Sequence, residues 1–335
     1  MSASTESPQT VQRHARRARL TAAAAVTLAS ALALTACGSD KADSTENAAE
    51  KSDAKNVSVT DAAGKKVSVP ANPKKVIALS EMDLDSSLAL GVEPVGLTAG
   101  RGQKGAPEYL AKQAKDIPVV GAVTGPDIEK VLQAKPDVIL AGQLADPQVL
   151  KQLGEIAPTV VTIGKDKDWK KALSLTGQVL GKKNEADTFL ADYDKKAAEV
   201  KKGLGDKAGA TVSVARYSAK GTAVMQQGVF ISDVLKDLGF KRPGIQNEKG
   251  QGHSTPLSDE DLKQIDADWL FIGTLASTGK DADLFGELKQ KAAYKELGAV
   301  KDGHVTEIDG SKWTSLGGAN AALSVLDDIK KAMGK

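Results

Sequence analysis

Arginine is the residue type in this chain best suited to holding a ligand with paired oxygen atoms. Beyond residue 36 only Arg101, Arg216 and Arg242 occur, whereas lysine is abundant. A guanidinium donates two parallel hydrogen bonds in a fixed geometry, which an ammonium cannot reproduce. Arg101 and Arg216 each follow a predicted strand, so both are candidate ligand contacts. For Arg101 a solvated loop position is an equal alternative, because Gly100 and Gly102 flank it.

Further candidates follow from the same reasoning about strand ends. In open α/β sheets, ligands bind beyond the carboxyl ends of the strands. The residues that sit just after other predicted strands and could contact a ligand there are Met82, Gln143, Tyr217 and Gln226. Each of these four is equally compatible with core packing or solvent exposure.

Short apolar strands alternate with helices on both sides of one long helical stretch. Strands are predicted at 57–60, 66–69, 76–79, 94–97, 117–120, 137–141 and 159–163, and then at 211–216, 222–225, 269–272 and 305–308. Helices are predicted through Leu84–Leu90, near 127–134, 147–155 and 169–180, and then near 231–238, 258–265, 283–290 and 317–332. Such alternation with short connections predicts parallel, doubly wound sheets.

The stretch 184–204 is predicted to be one long helix that joins two α/β lobes. Asn184 is a candidate N-cap, and Gly203 and Gly205 end the pattern. Apolar side chains recur at spacings of three and four, which forms one stripe: Ala186, Phe189, Leu190, Tyr193, Ala197 and Val200. The domains expected from this are an N-terminal lobe over 57–183, the bridging helix over 184–204 and a C-terminal lobe over 205–335.

The first 56 residues are expected to export and anchor the protein. A basic start is followed by the apolar run 20–36, and residues 1–36 therefore read as a signal peptide. A membrane-spanning anchor is the alternative, although the run is short for one. Arg16 and Arg17 leave twin-arginine export open beside the general route. Residues 37–56 begin with Cys37 and have no apolar periodicity, which predicts a flexible tether.

Composition argues against several function classes. The chain has 45 basic and 43 acidic residues, and removal of the signal peptide takes away four arginines and one acid. The remaining protein is nearly neutral, so no nucleic-acid partner is expected. It has no Gly-rich phosphate loop and no Gly-x-Ser-x-Gly elbow, so an enzyme is not expected. Only His253 and His304 remain as histidines, which cannot supply a three-histidine metal site.

Two segments match each other across the long helix. Glu129 and Glu260 each lie eight residues before an aspartate, Asp137 and Asp268, that opens an apolar strand ending in glycine. Either two generic helix–strand units coincide, or two related lobes present equivalent acidic groups.

Five segments form a recognisable series along the chain: 75–80 (KVIALS), 90–96 (LGVEPVG), 127–137, 235–240 (LKDLGF) and 258–268. On these segments, the chain from Val57 onward resembles the ABC-transporter substrate-binding proteins of the iron-siderophore and cobalamin group. The resemblance implies two Rossmann-like lobes bridged by one long α-helix, the class III arrangement. A Leu-x-small-Cys ending also resembles the lipobox of bacterial lipoproteins, which implies lipidation of Cys37 and an extracytoplasmic location at the outer face of the cytoplasmic membrane.

The resemblance also implies partners and roles. Glu129 and Glu260 match the glutamates that dock onto arginines of the membrane permease, although solvated helix-face acids are the alternative. Trp313 matches a ligand-contacting position, with core packing as its alternative. The expected ligand is a prechelated ferric siderophore, with hydroxamates favoured because two arginines are a sparse cluster for a triply anionic catecholate. Cobalamin or haem is the alternative ligand, and a purely adhesive lipoprotein is a third class. No resident cofactor is expected, and we expect a monomer.

Overall fold

The computed structural model describes residues 55–334 except 123, 250 and 251. The predicted signal peptide, Cys37 and nearly all of the predicted tether lie outside these residues. The strands are Asn56–Thr60 (β1), Lys66–Pro70 (β2), Val76–Ala78 (β3), Gly96–Ala99 (β4), Val119–Ala122 (β5), Gly125–Pro126 (β6), Val138–Leu140 (β7), Thr159–Val160 (β8), Val212–Ser218 (β9), Gly221–Val224 (β10), Trp269–Thr274 (β11) and Val305–Asp309 (β12).

The helices alternate with these strands through most of the chain. They are Glu81–Ala89 (α1), Ile128–Gln133 (α2), Pro147–Ile156 (α3), Trp169–Val179 (α4), Lys183–Leu204 (α5), Phe230–Asp237 (α6), Lys280–Leu288 (α7), Ala292–Lys295 (α8), Gly298–Lys301 (α9), Gly310–Trp313 (α10) and Ala319–Met333 (α11).

The N-terminal lobe contains a six-stranded sheet in the order β6-β5-β4-β3-β7-β8. The pairs among β5, β4, β3, β7 and β8 are parallel, and only β6 runs antiparallel to its neighbour. Strands β3 and β7 are apolar and fully buried, as expected for strands covered by helices on both faces. A separate antiparallel hairpin pairs β1 with β2, and the Asp61 carboxylate accepts the amide protons of Ala63 and Lys65 in its turn.

The C-terminal lobe contains a four-stranded sheet in the order β10-β9-β11-β12. Strands β9, β11 and β12 are parallel, and β10 is antiparallel to β9. The predicted helix over 258–265 is wrong, because a turn leads there into the short 3-10 helix Leu262–Ile265. The Ser258 hydroxyl donates to the Asp261 carboxylate and accepts from the Asp261 amide. Such local hydrogen bonds compete with those of an α-helix.

The long helix α5 confirms the predicted bridge between the two sheets. The helix begins at Lys183, so Asn184 lies inside it and is not its N-cap as predicted. Lys182 occupies the N-cap position and makes no capping hydrogen bond with its side chain. Of the predicted stripe, Ala186, Tyr193, Ala197 and Val200 are buried. Helix α5 packs against both α4 and α11.

One apolar core continues from lobe to lobe. It contains Met82 of α1, Tyr193 of α5, Phe271 of β11 and Trp313 of α10, together with the buried face of α11. Opening the lobes widely would expose part of this core to water, which costs roughly 25 cal/mol per Å² of apolar surface. We therefore expect only modest movement of one lobe relative to the other.

Candidate functional site

A cleft lies at the carboxyl ends of strands from both sheets. The N-terminal lobe contributes Arg101 after β4, Gln143 after β7 and Lys167 before α4, and the C-terminal lobe contributes Arg216 of β9 and the loop residue His253. Its remaining lining residues are Met225, Val229, Ile231, Gly252, Trp313, Thr314, Ser315 and Leu316. This is the edge at which open α/β sheets bind ligands.

The cleft continues into a second cavity on the N-terminal side. The first has a volume of ≈ 170 Å³ and the second of ≈ 280 Å³, and both are lined by Arg101, Gln143 and Leu316. Together they reach the range of roughly 300–1,000 Å³ that is typical of small-molecule sites. A larger cavity of ≈ 880 Å³ lies beside the β1–β2 hairpin, but all of its lining comes from the N-terminal lobe. The joined cleft is the better candidate because both lobes contribute to it.

Arg216 lies in the cleft wall, where the sequence placed it. Strand β9 pairs in parallel with β11, with Arg216 opposite Gly273. The guanidinium Nη1 donates to the carbonyl oxygen of Thr314 at 3.2 Å. Its contact with a ligand stays a prediction.

Arg101 also lines the cleft, but Glu81 holds it. The Arg101 amide donates to Glu81 Oε1 at 2.6 Å, and the guanidinium pairs with Oε2 of the same carboxylate. Glu81 is only 2% exposed, whereas the Arg101 side chain is 33% exposed. Arg101 is therefore a wall residue whose charge is largely offset, and not the solvated loop residue that was the alternative.

Of the two glutamines, only Gln143 lies in the cleft. Gln143 is exposed and lines both cavities. Gln226 is buried, and its amide nitrogen donates to the Ile245 carbonyl oxygen at 3.1 Å and to the Glu248 carboxylate at 3.2 Å. Because these bonds occupy Gln226 within the protein, its predicted ligand contact is not supported.

Three other predicted contacts are core residues. Met82 of α1 is fully buried in the apolar core that continues from lobe to lobe. Tyr217 follows Arg216 in β9 and so lies on the opposite face, where its ring packs 6.2 Å from that of Phe285. Trp313 reaches the cleft wall but is 0% exposed. Its ring stacks on Phe271 at 4.8 Å, and its indole nitrogen donates to an Asp328 oxygen at 2.9 Å.

Carboxylates of α1 connect the two lobes. Glu81 Oε2 accepts from the Ser315 hydroxyl at 2.6 Å and from the Leu316 amide at 3.3 Å. Asp85 accepts from the backbone amides of Asn320 at 2.7 Å and Ala321 at 3.1 Å, the first turn of α11. Asp85 of the N-terminal lobe therefore caps the N-terminus of α11, which belongs to the C-terminal lobe.

Asp83 and Asp85 are fully buried, and burial raises the pKa of each to about 6. Hydrogen bonds oppose this shift, from Thr162 and Ser80 for Asp83 and from Tyr109 for Asp85. The Asp83 carboxylate joins the ends of β3 and β8 beneath the cleft. Asp83 also accepts a hydrogen bond from the backbone of Gly142, which directly precedes the cleft residue Gln143.

Lys167 and His253 are cleft residues that the sequence reasoning did not select. Lys167 adopts a positive φ of 52° directly before α4. The sequence did contain one signal for Lys167. It lies between the predicted strand 159–163 and the helix that follows, and therefore at the carboxyl end of a strand. A left-handed lysine has no sequence signature, so its direction was not predictable.

Glu129 and Glu260 are both exposed, one in α2 and the other in the turn before the 3-10 helix. Neither forms an ion pair with another residue in the described part of the chain. Among residues 55–334 apart from the three gaps, no group of three or more His, Cys, Asp or Glu could hold a metal ion. In that same part, the helices are all too short or too polar to cross a bilayer.

Comparison with known proteins places this architecture in a family. The probable siderophore-binding lipoprotein YfiY of Bacillus subtilis (strain 168) is 34% identical over 314 residues, 91% of this chain and 95% of the relative. The iron(3+)-hydroxamate-binding protein FhuD of the same strain is 30% identical over 293 residues, 83% and 86% of the two chains. The structure of Staphylococcus aureus SirA complexed with staphyloferrin B superposes with a TM-score of 0.72 at 30% identity, covering 82% of this chain and 98% of SirA.

The sequence also matches the family described as periplasmic binding protein over residues 76–311. The match includes every strand of the six-stranded and four-stranded sheets and the whole of the bridging helix. The chain therefore belongs to the periplasmic binding protein family, whose members bind substrates and are not enzymes.

Proposed function

We propose that this chain is the substrate-binding lipoprotein of an ABC importer and captures a ferric siderophore between its lobes. One observation carries the proposal: the cleft is lined by cationic side chains from both lobes, Arg101 and Lys167 from one and Arg216 from the other. Such a surface complements the oxygen-rich shell of an iron chelate. Three similar proteins support the same ligand class: YfiY is a probable siderophore-binding lipoprotein, FhuD is an iron(3+)-hydroxamate-binding protein, and SirA was solved in complex with staphyloferrin B.

The proposal does not extend to the hydroxamate type that the sequence favoured. The expectation of a hydroxamate depended on a count of two cleft arginines, and Lys167 is a third cation there. The relatives support no single type, since FhuD is named for hydroxamates and SirA was solved with staphyloferrin B. The proposed ligand is therefore a ferric siderophore, without a commitment to hydroxamates.

Isothermal titration calorimetry of the purified protein tests ligand capture. Ferrichrome, ferrioxamine B, ferric enterobactin, ferric citrate, haem and cobalamin are the probes. At least one of the four ferric chelates should bind with 1:1 stoichiometry. Binding of haem or cobalamin without any ferric chelate would contradict the proposal in favour of the alternative ligand.

We propose further that Glu129 and Glu260 dock the loaded protein onto the permease. One exposed acid on each lobe lets the permease contact both lobes at once, which sets orientation more than affinity. The double variant Glu129→Ala with Glu260→Ala should bind the chelate as the wild type does, and cellular uptake of radioactive iron should be lost. Glu199→Ala, which removes an exposed acid of α5, is the control and should leave uptake unchanged.

The anchor is the third part of the proposal. Lipidation of Cys37 would hold the protein at the outer face of the cytoplasmic membrane, and the lipoprotein name of YfiY supports this. Cys37→Ser should release the protein from the membrane fraction into the soluble extracytoplasmic fraction. A variant that stays in the membrane fraction would contradict lipid attachment at this residue.

A further inference from the structure

Three cationic side chains from the two lobes line the cleft. Arg101, Lys167 and Arg216 line the first cavity, and none of the described residues lining it or the adjoining cavity is Asp or Glu. Glu81 pairs with Arg101 from behind the wall and is nearly inaccessible. The described lining of the cleft therefore contains cationic side chains and no acidic one, although the formal net charge of the whole chain is only +2. A cleft lined by one sign of charge concentrates ligands of the opposite sign.

The backbone of Lys167 is held in a costly conformation. Lys167 and Lys135 are the two residues other than glycine with positive φ in the described part of the chain, at 52° and 48°. The left-handed conformation costs a residue with a Cβ roughly 1–2 kcal/mol. The Lys167 amide donates to the Gly164 carbonyl oxygen at 3.0 Å, which closes the turn before α4. Strain of this kind collects at functional positions.

The acids beside Lys167 are engaged elsewhere. Asp166 accepts from Lys171 Nζ at 2.5 Å. Asp168 caps α4 through the amides of Lys170 at 2.9 Å and Lys171 at 3.1 Å. Lys167 itself forms no ion pair with any described residue, so its charge is not compensated by its neighbours.

Lys167 also extends to the opposite lobe. Its Nζ atom lies 3.9 Å from the position that a Cβ on Gly252 would occupy. Gly252 and Arg216 both belong to the C-terminal lobe and line the same cleft. An anionic group held by Lys167 and Arg216 would therefore connect the two lobes.

We propose that Lys167 is the charge-selecting residue of this cleft. Together with Arg216 it holds negatively charged oxygens of the chelate, so the ligand is a ferric siderophore with net negative charge. The inference rests on the proposed function, because it concerns which siderophores bind and not whether they bind. Carboxylate and catecholate chelates share this chemistry, whereas ferrichrome is neutral and ferrioxamine B is cationic.

Calorimetric titration of the wild type and four variants tests the inference. Ferric enterobactin and ferric citrate are the anionic probes, and ferrichrome and ferrioxamine B are the others. Loss of one hydrogen bond to a charged group corresponds to roughly 10- to 100-fold in Kd, and Lys167→Met should weaken the better anionic probe by about that factor. Lys167→Arg should retain most of the affinity. Lys167→Gly also removes the amine, and glycine adopts a positive φ without strain, so this variant should keep its fold. Its affinity for the anionic probe should fall by the same factor as that of Lys167→Met.

Lys135→Met is the matched control, because Lys135 has the same left-handed backbone but is exposed away from the cleft. Its Kd should equal that of the wild type. Tighter binding of ferrichrome or ferrioxamine B than of both anionic probes would overturn the inference and leave the proposed function standing. Equal Kd values for the Lys167 variants and Lys135→Met would also overturn it. Failure of all four ferric chelates to bind would instead refute the proposed function, and the inference with it.

Discussion

Replacement of Asp85 by alanine tests the connection between α1 and the C-terminal helix. The carboxylate accepts three hydrogen bonds, from the amides of Asn320 at 2.7 Å and Ala321 at 3.1 Å and from the Tyr109 hydroxyl at 2.7 Å. A buried donor that loses its partner costs about 1–3 kcal/mol. Asp85→Ala removes the acceptor of three such donors. Because water that enters the site partly compensates them, the free energy of unfolding should fall by about 4 kcal/mol.

Guanidinium chloride unfolding at pH 7.5, followed by circular dichroism, measures this loss. Asp146→Ala is the control, since Asp146 also caps a helix but is exposed and bonds only to Gln148 and Val149 within its own helix, α3. Removal of such a local cap typically costs about 1 kcal/mol. If Asp85→Ala cost no more than Asp146→Ala, the carboxylate would not couple the lobes and the reasoning would be refuted.

Three further predictions follow from the burial, close packing and proposed anchoring of single residues. Burial raises the pKa of Asp83 from 3.8 to about 6, so between these pH values the folded state binds more protons than the unfolded state. Unfolding free energy should therefore fall as pH rises through this window, by on the order of 3 kcal/mol relative to Asp83→Asn, and parallel pH curves for the two proteins would contradict this. Gly273→Ala places a methyl 1.9 Å from the Ile308 carbonyl oxygen. It should lower stability by about 1–3 kcal/mol, displace the strand end bearing Arg216 and weaken chelate binding, whereas unchanged unfolding and Kd would show that the strands tolerate the methyl. Cys37→Ser should abolish incorporation of radiolabelled palmitate, and persistent labelling would contradict lipidation at this residue.

Most helices and strands could be predicted from the sequence because each has a characteristic local pattern of apolar residues. The apolar spacing at Ala186, Tyr193, Ala197 and Val200 identified the bridging helix to within one residue at its start. Continuous apolar runs marked the parallel strands, and the strand-end rule placed Arg216 in the cleft. These features depend on neighbours close in sequence, so a single chain reveals them.

The orientation of side chains was less predictable. Tyr217 and Arg216 are adjacent in a strand, so only one of them could face the cleft, and alternation alone would have shown that they differ. The burial of Met82 depends on helices that pack from elsewhere in the fold.

Long-range polar contacts were not predictable at all. Glu81 and Asp85 had the composition of a solvated helix face, and their donors in the C-terminal lobe lie more than 230 residues away in the sequence. Lys167 was missed because its positive φ depends on the turn that it completes. Interior partners satisfy the polar atoms of Trp313 and Gln226, so their predicted ligand contacts remain predictions that these hydrogen bonds do not support.

Anomalous diffraction at the iron absorption edge, from crystals of the protein with its preferred ferric chelate, tests the central claim most directly. The account predicts one iron peak between the lobes, close to Lys167 and Arg216, with every coordinating atom supplied by the chelator. Iron bound directly to protein side chains, or a chelate in the cavity beside the β1–β2 hairpin, would contradict it.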